Sequence, residues 1–111
     1  MKIMHLAGGG DIGGAKTHII SLAKELSRTN TLKLVSFRYG DFAESAKAEG
    51  IDVTEIKSAF LLKDIHALFI EYDKFKPDIV HCHGAKANMM GLFLKRHRNA
   101  CVTTTIHSDY R

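Results

Sequence analysis

The feature that most constrains this chain is a regular alternation of two hydrophobic periods along its length. Short apolar stretches typical of buried strands alternate with segments whose apolar residues recur every three or four positions, as in amphipathic helices. The predicted strands are residues 2–7, 32–37, 51–56, 78–82 and 101–107, and the predicted helices are 15–28, 42–49, 63–75 and 85–97. Because helical crossovers join parallel neighbours, we expect an α/β fold. It should be a doubly wound parallel sheet of about five strands in the order 3-2-1-4-5, flanked by helices.

Length and composition are those of one ordinary domain covering residues 1–111. With 45% hydrophobic and 25% charged residues, such a chain can bury a core without disulfides. Cys82 and Cys101 lie in predicted strands, so we expect both to be reduced core residues of a cytoplasmic protein. The net charge of +4 is too small to indicate a nucleic-acid partner. One tight basic cluster, residues 95–98, leaves a phosphate or peripheral membrane contact open.

The predicted sheet locates a binding site before any motif is considered. Ligands of open, Rossmann-like parallel sheets bind beyond the carboxyl ends of the strands, where the strand order reverses. Here that point lies between the first and fourth strands, next to residues 8–14, 82–86 and 107–110. These segments hold glycines and polar side chains, so we expect the functional site at this edge of the sheet.

The loop after the first strand is rich in glycine and reads GGGDIGG over residues 8–14. Glycine permits positive φ angles and lets a ligand approach the backbone without a Cβ in the way. The following helix directs its amide groups and the positive end of its dipole into the same space. The loop therefore predicts a site for an anionic group such as a phosphate.

The same loop also matches the dinucleotide pattern G-x-G-x-x-G at Gly8, Gly10 and Gly13. That interpretation requires an acidic residue at the end of the second strand, where this chain has Arg38 and no carboxylate before Asp41. Two alternatives stay open. One is an NADP-binding domain of an oxidoreductase, in which Arg38 holds a ribose phosphate; the other is a non-catalytic module that binds a small anion.

The fourth predicted strand ends in His81-Cys82-His83-Gly84. Strand alternation directs the two histidines to one face and Cys82 to the other. Because no third ligand lies nearby in the sequence, we predict no metal site. We expect His81 to be a hydrogen-bonded core histidine. His83 is nearer the open end of the strand and is the better candidate for binding substrate.

Three segments together resemble the retaining glycosyltransferases of the GT4 type, which have the GT-B fold. The first strand, the G-G-x-x-x-G-G loop and the helix AKTHIISLAKEL are similar to the opening of these enzymes. Residues 77–83 resemble the family's Pro-Asp-apolar-apolar-His-x-His segment, and residues 103–107 resemble its Val-x-Thr-x-His segment. One departure is Lys16, where family members commonly have glutamate or glutamine.

The resemblance implies a role for this chain and for four of its residues. It implies the truncated N-terminal domain of an enzyme that moves a sugar from a nucleotide-sugar donor to a glycan, lipid-linked or small-molecule acceptor. This domain would supply the acceptor side of the cleft. Gly13 and Gly14 would bind near the transferred sugar and the donor phosphate, beside His83. His107 would be the catalytic candidate, donating to a sugar hydroxyl or balancing charge at the leaving group.

The resemblance also implies what surrounds this domain. The nucleotide-sugar is a co-substrate, and no tightly bound cofactor is expected. These 111 residues have no counterpart of the family's second-domain Glu-x7-Glu signature, so we expect the chain alone to be inactive. We expect a cytoplasmic enzyme of cell-envelope polysaccharide synthesis, peripheral to the inner face of the membrane. The fifth strand would be an unpaired edge, which favours a homo-oligomer.

Overall fold

The fold is a five-stranded parallel sheet between two layers of helices. A computed structural model describes residues 1–7, 15–37 and 40–105, without the side chains of residues 15, 16 and 105. The elements are β1 (Lys2–Ala7), α1 (Ala15–Leu26), β2 (Thr31–Ser36), α2 (Asp41–Ala48), β3 (Val53–Glu55), α3 (Leu61–Phe75), β4 (Ile79–His83), α4 (Ala85–Arg98) and β5 (Val102–Thr105). The sheet order is β3-β2-β1-β4-β5, and every pair of neighbouring strands is parallel. The predicted fold class and strand order are therefore confirmed.

The core has two halves because β1 is central and its side chains alternate between the faces of the sheet. Met4 and Leu6 belong to the cluster that α3 and α4 cover, together with Leu68, Met90 and Leu94. Ile3 and Ala7 belong to the cluster that α1 and α2 cover, whose helix residues are Ile19, Ala23, Phe42 and Ala46. Both faces of the central strand are therefore buried, as expected for a doubly wound sheet.

Because of local sequence signals, α2 and α3 end close to their predicted ends. Gly50 follows α2 with a φ of +83°, the left-handed conformation that glycine adopts without strain. Lys76 caps α3 with a φ of 53°, and its N–H donates to the Tyr72 carbonyl at 2.7 Å. Pro77 then prevents the helix from continuing. Asp78 fixes the start of β4 beside β1, because its carboxylate accepts a 2.7 Å hydrogen bond from the Lys2 backbone N–H.

The buried face of α4 agrees only in part with the one that the sequence pattern predicts. Helical periodicity predicts an inner side formed by Ala85, Met89, Leu92, Phe93 and Arg96; Met89 does pack against the core, but Leu92 is 64% exposed. The helix instead buries Ala87, Met90, Gly91 and Leu94. Apolar side chains lie on several sides of α4, so periodicity alone does not select a face. The glycine selects it, since it lets α4 approach Cys82 of β4 closely.

The two cysteines differ in environment, which corrects the expectation that both lie in the core. Cys82 is fully buried, and burial raises the pKa of its thiol to about 12. Cys101 is exposed, because it precedes β5 at the edge of the sheet. Both are free thiols. The strand-like sequence around Cys101 therefore predicts β5 correctly, but it does not predict that the Cys101 side chain is exposed.

Candidate functional site

The carboxyl ends of three adjacent strands meet at one edge of the sheet. Ala7, the last residue of β1, is in register with His83, the last residue of β4. His83 is in register with Thr105, the last residue of β5. Because neighbouring strands lie about 4.8 Å apart, the carboxyl ends of β1, β4 and β5 lie side by side. The strand ends are therefore arranged as the predicted site requires.

The structure describes only part of the predicted site. Gly13, Gly14 and His107 lie outside the described residues, as does Arg38 of the dinucleotide alternative. His83 is described and is fully buried at the end of β4. A direct contact between His83 and a substrate would therefore require the residues that cover its ring to move. The four predicted site roles stay predictions.

Gly84 makes the turn from β4 into α4 at this edge. It has a φ of +99°, so a side chain here would be strained. Its carbonyl accepts the first intrahelical hydrogen bond, from the Asn88 N–H at 2.9 Å. The first turn of α4 consequently directs its remaining amide groups toward the carboxyl edge of the sheet, where they favour an anion. A site that favours an anion is also what the sequence of the glycine-rich loop after β1, the neighbouring strand, predicts.

Three histidines form a compact cluster on the sheet face next to this edge. His5 of β1 is in register with His81 of β4, and His83 follows two residues later on the same face. The His5 Nδ1 and His83 Nε2 atoms are 2.9 Å apart and share a hydrogen bond. The ring centroids of His81 and His83 are stacked 4.3 Å apart. One ring nitrogen from each of the three histidines lies within 4.8 Å of the other two.

His5 is the most unusual member of this cluster. It is fully buried, and its Nε2 atom has no hydrogen-bond partner among the described residues. Burial, and secondarily the charge on His81, lowers the pKa of His5 from 6.5 to about 4. The ring is therefore neutral at neutral pH. A buried polar atom without a partner is uncommon in folded proteins and requires an explanation.

Sequence reasoning found His81 and His83 but missed His5. Cys82 does face the opposite side of the sheet, toward α4, as strand alternation predicts. His5 lies far from the other two in sequence, on a strand 76 residues earlier. The predicted strand order already places β1 beside β4, which makes His5 a candidate, but the register decides whether its ring is on the same face as His81 and His83. His81 is half-buried.

A comparison with family models identifies one family. A family model described as Glycosyltransferase Family 4 matches residues 12–111. No curated protein sequence matches the chain significantly. Nothing in these comparisons supports the oxidoreductase alternative.

Several solved glycosyltransferase structures share the fold. The crystal structure of Anabaena HepE in complex with UDP is similar over 100% of this chain and 30% of its own, with a TM-score of 0.83 and 19% identity. A glycosyltransferase from Rickettsia africae is similar over 99% of this chain and 31% of its own, with a TM-score of 0.77 and 23% identity. Acinetobacter baumannii MurG is similar over 93% of this chain and 34% of its own, with a TM-score of 0.76 and 18% identity. The chain thus spans about a third of the length of these structures.

Proposed function

Because the chain belongs to Glycosyltransferase Family 4, we propose that it forms the acceptor side of the cleft in an enzyme that transfers a sugar from a nucleotide-sugar donor. The observation that supports this proposal is the register of Ala7, His83 and Thr105, which puts the carboxyl ends of three strands at one edge. Parallel sheets of this kind bind ligands at that edge. A nucleotide-sugar carries a diphosphate, and α4 begins directly after β4 at this edge, where the amide groups of its first turn favour an anion.

Within that cleft, we propose distinct tasks for the predicted residues. Gly13 and Gly14 keep the backbone free of side chains where the transferred sugar and donor phosphate approach. His107 donates a hydrogen bond to the sugar or balances the negative charge that develops on the leaving phosphate. His83 contacts the substrate from the end of β4 once the residues that cover it move, and its hydrogen bond with His5 holds its ring in place. No metal or tightly bound cofactor takes part in this transfer.

The proposal is tested by following sugar transfer in the longest natural polypeptide that contains these 111 residues. UDP-glucose is the first donor to try, since crystal structures of the similar HepE contain UDP and UDP-glucose. We expect His107→Ala to lower turnover roughly 100-fold, the usual cost of removing one charge-stabilising donor. His107→Gln, which keeps a donor, should retain more activity. Gly14→Val should abolish turnover by filling the space for the donor.

The matched control is His66→Ala, which removes an exposed histidine of α3 and should keep turnover near that of the unmodified protein. We also expect the 111-residue chain alone to release no sugar above background, because it spans only about 30% of the length of HepE. Unchanged turnover in both the His107→Ala and Gly14→Val variants would contradict the proposed site. Turnover by the isolated chain would contradict its assignment as one side of a cleft.

For location, we propose a cytoplasmic enzyme of cell-envelope polysaccharide synthesis at the inner face of the membrane. No helix in the described part of the chain is long and apolar enough to span a bilayer. Lys95, Arg96 and His97 are exposed at the end of α4 and form a basic surface. We expect the chain to sediment with phosphatidylglycerol vesicles more than with phosphatidylcholine vesicles. Each basic side chain near an anionic surface contributes about 1 kcal/mol, so Lys95→Glu/Arg96→Glu should remove most binding.

The control for membrane binding is the double variant Lys24→Glu/Lys47→Glu, which makes the same charge change on α1 and α2. It should keep most of the vesicle binding. Equal loss in the two double variants would mean that net charge, rather than the end of α4, drives the association.

We also propose that the isolated chain self-associates through β5. This strand is at the edge of the described sheet, and both Thr103 and Thr104 are exposed. An unpaired strand edge offers N–H and C=O groups to another chain. Light scattering should therefore give the mass of a dimer or larger species at high concentration. Thr103→Lys, which adds a charge to the edge, should shift the population toward monomer; a monomeric unmodified chain would refute the proposal.

A further inference from the structure

The proposed transfer reaction uses the carboxyl edge of the sheet and leaves the histidine cluster beneath it without a complete explanation. His5, His81 and His83 come from the two central strands and turn their rings toward one another. We propose that these three side chains bind a divalent transition-metal ion such as Zn²⁺. The inference does not depend on the proposed function, since it requires only the described strands β1 and β4.

The geometry of the cluster is close to that of a three-histidine metal site. Two nitrogens that bind zinc tetrahedrally at about 2.05 Å lie roughly 3.3 Å apart. His5 Nδ1 and His83 Nε2 are 2.9 Å apart, and all three ligand atoms lie within 4.8 Å of one another. Separating the closest pair by a few tenths of an ångström and rotating the His81 ring inward would complete the site. These are side-chain rotations that leave the strands in place.

The incomplete hydrogen bonding of the buried His5 ring supports a ligand at this position. Its Nε2 atom is buried without a partner in the described part of the chain, although its Nδ1 atom is hydrogen-bonded. An apolar residue would suit a fully enclosed position on a central strand better than a histidine with one unsatisfied nitrogen. We expect the metal to bind Nδ1, the nitrogen that faces His83, so the cost of burying an unpartnered Nε2 is explained if the ring is kept here as a ligand. Burial also keeps the His5 ring neutral at neutral pH, as metal binding requires.

The ligand set selects the class of metal. Three imidazoles suit zinc, copper, nickel or iron, whereas calcium and magnesium require oxygen ligands. His81 is half-buried, so an ion can enter from that side of the cluster without unfolding the sheet. By binding β1 and β4 together, the metal would stabilise the folded chain by an amount that rises with the logarithm of its concentration relative to the dissociation constant. The alternative is a histidine cluster held together by hydrogen bonds without a metal ion. The experiment must distinguish this cluster from the metal site.

The test uses the tag-free 111-residue chain after treatment with EDTA. Equilibrium dialysis against ZnCl₂ should give one bound ion per chain, and zinc should raise the melting temperature. Co²⁺ should give the visible absorption of a tetrahedral site. In NMR spectra, zinc should shift the imidazole signals of His5, His81 and His83 before those of the other four histidines.

Variants then assign the ion to this cluster. His81→Ala removes the least buried ligand and should weaken zinc binding at least ten-fold, since even supporting residues of metal sites contribute that much. His66→Ala and His97→Ala remove exposed histidines of α3 and α4 and should leave binding unchanged. If His81→Ala does not fold, the NMR shifts of the unmodified chain decide the assignment. Absence of stoichiometric binding, or equal loss in the control variants, would overturn the proposal and leave the hydrogen-bonded network.

Discussion

Replacing Gly91 with leucine is expected to lower the free energy of unfolding by about 3 kcal/mol, the upper end for an overpacked core. Gly91 is buried in α4 where the helix crosses β4 and β5. A Cβ at this position would lie 2.5 Å from the Cys82 Sγ atom and 3.2 Å from the Val102 Cγ1 atom. Because Cys82 is fully enclosed, the sulfur cannot swing into solvent to make room. The leucine must therefore push α4 away from the sheet.

Gly91→Ala makes the same test with a single added carbon. Alanine should stabilise the helix by about 1 kcal/mol relative to glycine, so a net loss of stability would isolate the steric conflict. Adding Cys82→Ala removes the conflicting sulfur. The double variant should therefore be more stable than the sum of the two single changes predicts, by about 1–2 kcal/mol. Urea unfolding measures each value.

The control for the Gly91 series is Leu92→Ala, one residue further along α4 and 64% exposed. It should change the free energy of unfolding by less than about 0.5 kcal/mol, as surface substitutions usually do. A Gly91→Ala variant more stable than the unmodified chain by the full helix-propensity gain of about 1 kcal/mol would show that the added carbon meets no steric conflict. The close approach of α4 would then not be what selects its buried face.

The fold was predictable because few arrangements satisfy the alternation of strands and helices. Crossover handedness and the need to cover both faces of a parallel sheet leave few strand orders. For α3, helical periodicity predicts a buried stripe of Ile65, Leu68, Phe69, Tyr72 and Phe75, and this is confirmed: Leu68 is buried in the core on that side and the other four pack against it. A single continuous stripe defines the buried face of a helix without further information.

The buried face of α4 could not be predicted from the same kind of pattern. Met89, Leu92 and Phe93 are as apolar as Met90 and Leu94, so hydrophobicity alone supports more than one face. The contact that decides which face of α4 is buried is the close approach of Gly91 to Cys82, and it depends on the distance between α4 and β4. Sequence periodicity describes each element separately, and it contains no information on how closely two elements approach.

The position of the candidate site was predictable, but the contacts within it were not. Chain connectivity alone brings the ends of β1, β4 and β5 to the same edge. The hydrogen bond between His5 and His83 depends on register, which pairs His5 with His81 and Ala7 with His83. A shift of one residue would place His5 on the opposite face from both histidines. A prediction without register therefore found two of the three rings.

Acidification is expected to destabilise the metal-free chain through His5. The pKa of His5 is lowered from 6.5 to about 4 by burial and by the nearby His81. Below pH 6.5 the unfolded chain therefore binds a proton at this position that the folded chain excludes. Stability from this group is complete above pH 6.5 and is lost as the pH falls toward 4. The full loss is about 3 kcal/mol, and roughly 2 kcal/mol of it should appear between pH 7 and pH 5.

His5→Asn identifies the source of that loss. An asparagine amide can occupy the place of Nδ1 and keep a partner for His83, but it does not titrate in this range. Urea unfolding at pH 7, 6 and 5 in EDTA should therefore show a smaller loss of stability for His5→Asn than for the unmodified chain. His66→Asn removes an exposed histidine instead and should keep the full loss. If the unmodified chain and His5→Asn respond equally to acid, then the loss of stability comes from groups other than His5, and burial of His5 is not its cause.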